Sequence, residues 1–265
     1  MSDYSQHLSV AREAALAAGE LLRDQALHHH DELMVDIAEA HDIKLELDRR
    51  CQSLIEKILL RSFPDFAIYG EEGISGESDA EYQWIIDPID GTVNFFYGIP
   101  HFAISIALRR NKEIVIGVIH DPMRNELWEA ARGEAVTLNG HPIQVSRRTK
   151  MSESVVSVGL SKTAATIEQA APQFLQMVRS VRKCRLMGSA TLDIAYVACG
   201  RLDAYLENQI SLWDIAAGVL MVEMAGGIVE LKPHPAEPDK YSIVACSSLI
   251  REQLAVFGSQ ISENS

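Results

Sequence analysis

Asp87 and Asp90, three residues apart and followed by Gly91-Thr92, are the part of this sequence best equipped for chemistry. Their carboxylates are hard oxygen donors. The N–H groups of Gly91, Thr92 and Val93 can face an anion where a short helix begins. Two more acidic groups stand in similar settings: Glu71-Glu72 between two glycines, and Asp214 after Trp213. If all three converge, they make an all-oxygen site that suits Mg2+ or Mn2+, whereas zinc would want nitrogen or sulfur. Two such ions about 4 Å apart clamp a phosphate, lower the pKa of a bound water and stabilise a departing alkoxide. The expected chemistry is therefore hydrolysis of a phosphate ester. No Ser-His-Asp pattern, dinucleotide glycine fingerprint or P-loop competes with it.

Each acid also has a plainer reading. Asp-Pro and Asp-Gly are ordinary turn pairs, and acids between glycines often mark a polar turn. Asp214 opens a hydrophobic helix, where it is either an N-cap or a buried acid with a charged partner. Asp48 taken alone is a first-turn acid favoured by the helix dipole. His28-His29-His30 reads as a solvated surface turn, since neighbours in sequence do not share a helix face.

The elements that must position these acids follow from periodicity. Trp84-Ile85-Ile86 is a strand running into Asp87, and Pro88 has no N–H for a ladder, so pairing is expected to end there with both acids projecting beyond it. Helices are predicted from Tyr4 to Leu27 and from Leu45 to Leu60, with a strand at Phe66–Tyr69 leading into Gly70-Glu71. Antiparallel strands follow at His101–Leu108, Glu113–His120, Glu126–Ala130 and Ala135–Leu138, the last closed by the hairpin pair Asn139-Gly140. The polar stretch Ser146–Ser152 divides the chain into an N-terminal half, 1–147, and a C-terminal half, 148–265. In the second half a strand at Val155–Val158 precedes a helix with Pro172 in its first turn, ending near Val181. A helix from Gly188-Ser189-Ala190 to Gly200, a strand at Asp203–Glu207, a buried helix at Trp213–Ala225, a strand at Ile243–Cys246 and a final helix capped by Ser247 or Ser248 complete an α/β half.

The chain has 265 residues, 47% of them hydrophobic and 23% charged, with 37 acidic against 24 basic side chains and a net charge of −13. That excess argues against nonspecific nucleic-acid binding and fits a protein that holds cations. Four cysteines without a CxxC pair fit a reducing compartment. The N-terminus lacks an apolar signal segment, and no uncharged apolar run approaches the ~20 residues that span a bilayer. A soluble cytoplasmic protein with no membrane partner is expected.

Taken together, Asp87-Pro88-Ile89-Asp90-Gly91-Thr92, preceded by Gly70-Glu71-Glu72 and followed by Trp213-Asp214, resemble the inositol monophosphatase family of Mg2+-dependent, lithium-sensitive phosphatases. The resemblance covers nearly the whole chain, including Asn139-Gly140, Gly188-Ser189-Ala190 and Gly226-Gly227. It implies a layered α/β/α/β/α sugar-phosphatase fold, two or three metal ions and a homodimer. It further implies that Glu71, Asp87, Asp90 and the Ile89 carbonyl hold the first metals, and that Asp214 shares another with Asp90. Thr92 would polarise the attacking water with help from Asp48, and Glu71 would join them in catalysis. The Gly91 and Thr92 N–H groups would hold phosphate oxygens. Ser189, Ala190 and Glu207 would face the alcohol, with Asp214 near the leaving oxygen. Inositol 1-phosphate is the default substrate; fructose 1,6-bisphosphate, histidinol phosphate and nucleotide 3′-phosphates are served by the same scaffold. Phe96-Tyr97-Gly98-Ile99-Pro100 resembles the inositol and archaeal dual-activity branches. One segment departs from the pattern: the family's Asp-x-Val-Thr-x-x-Asp is here Asp42-Ile43-Lys44-Leu45-Glu46-Leu47-Asp48, and Ile37 stands where the family has a lysine. This departure alone favours a different class of function, a catalytically weak relative that acts as a binding partner.

Overall fold

A computed structural model describes residues 4–29, 35–38, 43–77, 79–159, 164–235, 237 and 240–258. Helix α1 (Ser5–His28) is followed by a small antiparallel pair, β1 (Val35–Ala38) and β2 (Ile43–Leu45), and then by α2 (Glu46–Ser62). Next come β3 (Ala67–Gly70), β4 (Gly73–Ser75), β5 (Tyr82–Asp90), the one-turn helix α3 (Thr92–Phe96), β6 (Ala103–Arg110), β7 (Glu113–Asp121), β8 (Glu126–Ala131), β9 (Thr137–Leu138) and β10 (His141–Pro142). The later chain contributes β11 (Val155–Val158), α4 (Ala164–Ser180), β12 (Lys183–Arg185), α5 (Ala190–Ala198), β13 (Ala204–Ser211), α6 (Leu212–Met224), β14 (Gly227–Pro233), β15 (Lys240–Ser247) and α7 (Arg251–Gly258).

Strands β3 to β10 form one eight-stranded sheet in the order β10-β9-β8-β7-β6-β5-β3-β4, antiparallel except where β3 runs parallel to β5. Strands β11 to β15 form a second sheet in the order β12-β11-β13-β15-β14, with β11 parallel to both neighbours. Three apolar clusters set the layers. Ala11, Ala15 and Leu22 of α1 and Ile55 and Leu59 of α2 pack on Trp84, Ile86, Ile104 and Ile106, one face of the first sheet. Its other face, through Ile85, Ala103 and Ala107, shares a cluster with α5, α6 and strands β13 and β15. On the far side of the second sheet, Met177 of α4 and Leu254 of α7 cover Val156, Leu206 and Cys246. The result is the expected α/β/α/β/α stack. Because β5 is covered on both faces, its apolar run is continuous rather than alternating.

Asn139 and Gly140 both have positive φ, 49° and 77°, as the tight hairpin between β9 and β10 demands. Three predictions need correction. Pro172 lies inside α4 and not in its first turn, because the helix begins at Ala164; the proline is exposed, where a carbonyl that loses its N–H partner can turn to water. Strands β1, β2, β4, β12 and β14 were not expected; each is short or half-exposed, too brief or too mixed in polarity to give a clean period. The histidine tract begins on a helix, since His28 is the last residue of α1 and lies 3.0 Å from Asp24 Oδ1. His30, Asp31, Glu32 and Asp42 fall outside the described residues, as do the side chains of Ile37 and Lys44. Among the described residues no helix is long and apolar enough to cross a membrane.

Candidate metal and phosphate site

Strand β5 aims its acids by a break in its own register. Trp84 and Ile86 face α1 and α2, while Ile85 faces α5 and α6, so Asp87 also points toward α5 and α6. Regular alternation would turn Asp90 the opposite way. Instead Asp87 pairs with Ser105 and Asp90 with Ala103, so three steps on β5 oppose two on β6. This bulge reverses the parity and puts both acids on one side. The expectation that pairing would stop at Pro88 is therefore corrected: the strand runs through to Asp90, and the missing N–H is absorbed in the bulge. The freed carbonyls find side chains, Pro88 accepting from the Cys51 thiol at 3.4 Å and Ile89 from Thr92 Oγ1 at 2.9 Å.

Asp214 comes to the same place from α6. It is the third residue of that helix and closes a capping box with Ser211, whose N–H donates to Asp214 Oδ2 at 3.1 Å. The N-cap is thus Ser211, and Asp214 both supports the cap and faces the acids of β5. One carboxylate oxygen from each of Asp87, Asp90 and Asp214 lies within 4.8 Å of the others.

Such crowding is electrostatically costly. Burial, then the charges of Glu71, Asp214 and Asp90, hold the Asp87 carboxyl well above the usual carboxylate range. Burial, then Asp90 and Glu71, do the same to Asp214. Asp90 is pushed up to about 6 by burial, against the opposing pull of hydrogen bonds from Ser189 and Thr191. Asp87 Oδ1 accepts the Ile89 N–H at 3.0 Å, but buried Asp87 Oδ2 meets no donor among the described residues. It faces the Asp214 carboxylate, an arrangement that calls for a shared proton or a cation. The donor set is all carboxylate and carbonyl oxygen, so a hard divalent ion fits it.

The other predicted residues surround this cluster. Glu71 follows β3 in the two-residue turn to β4, with its N–H on the Ile86 carbonyl at 3.1 Å. Asp48, in the first turn of α2, is buried, and its Oδ1 lies 3.3 Å from Thr92 Oγ1. Gly91 caps α3 with φ 92°, and a Cβ there would stand 3.0 Å from the His101 carbonyl, so any side chain would be both strained and crowded. Ser189 caps α5 and donates its hydroxyl to Asp90, while Ala190 begins that helix. Glu207 accepts from the Tyr205 hydroxyl and lies over Gly159, leaving no room there for a Cβ.

Three participants escaped sequence reasoning. Thr191 donates its N–H to Asp90 at 2.8 Å and its hydroxyl to the Asp214 carbonyl at 2.8 Å, tying the two acids together. Asp193, buried on α5 and pushed up to about 8 chiefly by burial, accepts from Ser157 Oγ at 2.7 Å. Gln52 lies one helical turn beyond Asp48. That i, i+4 spacing was the only sequence signal for any of the three.

These features define a layered α/β protein that gathers acids from the first sheet and from helix α6 into a site suited to a hard cation beside a phosphate-ready turn. A model of the inositol monophosphatase family matches residues 3–256, and the chain belongs to that family. It is a phosphatase. A relative from Pseudomonas aeruginosa named Nus factor SuhB is 40% identical over 229 residues, covering 84% of each chain. An inositol-1-monophosphatase from Synechocystis is 36% identical over 257 residues, 96% of this chain and 89% of that one. Among solved structures, the extragenic suppressor protein suhB from Bartonella henselae superposes with a TM-score of 0.89 at 32% identity, covering 98% of this chain and 100% of that one.

Proposed function

We propose that this phosphatase is a Mg2+-dependent phosphomonoesterase acting on a small phosphorylated polyol, inositol 1-phosphate first. The observation that carries the reading is the donorless Asp87 Oδ2 buried against the Asp214 carboxylate, beside Asp90. Glu71, Asp87, the Ile89 carbonyl, Asp90 and Asp214 would hold two or three Mg2+ ions, with Mn2+ as a substitute. When bound, these ions supply the positive charge that neutralises a phosphate and acidifies a water. Thr92, backed by Asp48, polarises the attacking water, with Glu71 as a second acceptor. The Gly91 and Thr92 N–H groups bind phosphate oxygens. Ser189, Ala190 and Glu207 position the alcohol, and Asp214 lies near its leaving oxygen. In this reading residues 1–147 bring most of the metal ligands, and 148–265 bring Asp214 and the alcohol-facing groups. The protein works as a cytoplasmic homodimer without membrane partners, and its net charge of −13 argues against a nucleic-acid partner.

The Synechocystis relative's name supports inositol 1-phosphate. Fructose 1,6-bisphosphate and histidinol phosphate are the alternative substrates on this scaffold. The relatives named Nus factor SuhB favour a second reading, in which the chain also serves as a factor through binding. Release of inorganic phosphate from a side-by-side panel of phosphorylated polyols, sugars and nucleotides, with and without Mg2+, tests the proposal. Turnover fastest on inositol 1-phosphate and dependent on Mg2+ is expected. No turnover on any ester would leave only the binding role.

A further inference from the structure

The turn that carries Glu71 is a poor one on its own terms. Gly70 pairs with Gly73, so Glu71-Glu72 is a two-residue hairpin loop between β3 and β4. Loops of that length favour turns with positive φ, which match strand twist and call for Asn or Gly. Neither glutamate has a positive φ. The Asn139-Gly140 hairpin of the same sheet obeys the rule, and this one does not. Nor does β4 offer much anchorage, being a three-residue edge strand exposed along its length.

Outside support comes from Gln52, which is 3% exposed. The Glu72 N–H donates to one atom of its amide at 2.9 Å, which fixes that atom as Oε1. Nε2 then donates to the Gly73 carbonyl at 3.3 Å and to Glu56 at 2.8 Å, so Glu56 holds the amide in orientation. The fit is close: a Cβ on Gly70 would collide with the amide at 2.4 Å. Gln52 also follows Asp48 by one helical turn, so the same face of α2 that reaches Thr92 reaches the Glu71 turn.

We propose that Gln52 is a positioning residue for the metal site, clamping the Glu71-Glu72 turn so that the Glu71 carboxylate is aimed at Asp87 and Asp214. The role rests on the metal-dependent reading above. Gln52 touches neither metal nor substrate, and removing it should cost metal affinity more than turnover at saturating metal.

Gln52→Asn keeps the amide but is one methylene too short to span both backbone groups. Binding of Mn2+ alone, followed by electron paramagnetic resonance, should be about tenfold weaker in Gln52→Asn. Phosphate release by Gln52→Asn should half-saturate at about tenfold higher Mg2+, with kcat at saturating Mg2+ within about threefold of wild type. Should Gln52→Asn fail to fold, Gln52→Met fills the same volume without the hydrogen bonds and carries the same expectation. Wild-type Mn2+ affinity in a folded Asn or Met variant overturns the clamp and leaves the metal-dependent reading standing. A wild-type chain that neither binds Mn2+ nor releases phosphate overturns both.

Discussion

The molecule buries acids in two different ways. Asp121, at the end of β7, is fully buried, but its Oδ1 accepts the N–H groups of Met123 and Arg124, and its Oδ2 accepts the Arg124 guanidinium at 2.8 Å. Asp203, just before β13, is fully buried as well, held by Arg148 and by the Val155 N–H at 2.7 Å. These two acids are satisfied by the chain, and they build loops. Asp87, Asp90 and Asp214 have instead been brought together with one another: burial raises all three, the charges of neighbouring acids raise Asp87 and Asp214 further, and hydrogen bonds from Ser189 and Thr191 hold Asp90 to about 6. A buried acid with its own partners is structure; buried acids facing each other are a request for a cation.

Substitutions at the two kinds of site should separate cleanly. Asp90→Asn removes the proposed shared metal ligand, and phosphate release should fall by roughly a thousandfold while the metal-free protein melts no lower than wild type at neutral pH. A variant that turns over normally, or one that unfolds, breaks the contrast. Thr92→Val should cost about a hundredfold in kcat and Thr92→Ser much less, because only the hydroxyl is engaged with Asp48. At the satisfied site, Asp203→Ala should lower stability by about 2–4 kcal/mol in urea unfolding and leave activity per folded molecule unchanged, since it strands the Val155 N–H and the Arg148 guanidinium.

A pH series sharpens the same distinction. In the metal-free chain Asp90 titrates near pH 6 when folded and near ~3.9 when unfolded, so between those values the folded state holds more protons. Its stability therefore falls as pH rises through that window, and the raised Asp87 and Asp214 extend the fall upward. The melting temperature of metal-free protein should drop from about pH 5 to about pH 7.5, and Mg2+ should restore more of it at the higher pH. The smallest effect is expected at Gly91→Ala: a side chain at φ 92°, 3.0 Å from the His101 carbonyl, should cost about 1–2 kcal/mol of stability by thermal melt.

The acids were legible in the sequence because each sits where an apolar run meets a turn, a local signal. Their aim was not. The bulge that puts Asp87 and Asp90 on one side depends on the register of β6, and no property of Pro88 alone reveals it. Pro88 was read as a stop for the same reason. Neither reading of Asp214 holds as stated: Ser211 is the N-cap, Asp214 closes the capping box from the third helical position, and the groups it faces are acids. Thr191 and Gln52 were missed because their work is hydrogen bonding to backbone far off in sequence. Strand β14 was missed because it alternates weakly at a half-exposed edge. The resemblance to a family supplied what periodicity could not, above all Asp48, which on its own is one more acid in a first helical turn.

The most direct test is a calorimetric titration of Mg2+ into metal-free protein at about pH 7, repeated in buffers of different ionisation enthalpy. If the raised acids form a cation site, binding saturates and protons are released to the buffer, chiefly from Asp87 and Asp214, since Asp90 at about 6 is already mostly ionised at pH 7. Asp203→Asn should leave that titration unchanged, and Asp214→Asn should weaken it. Mg2+ heats that never saturate, or saturable binding untouched by Asp214→Asn, would contradict the account.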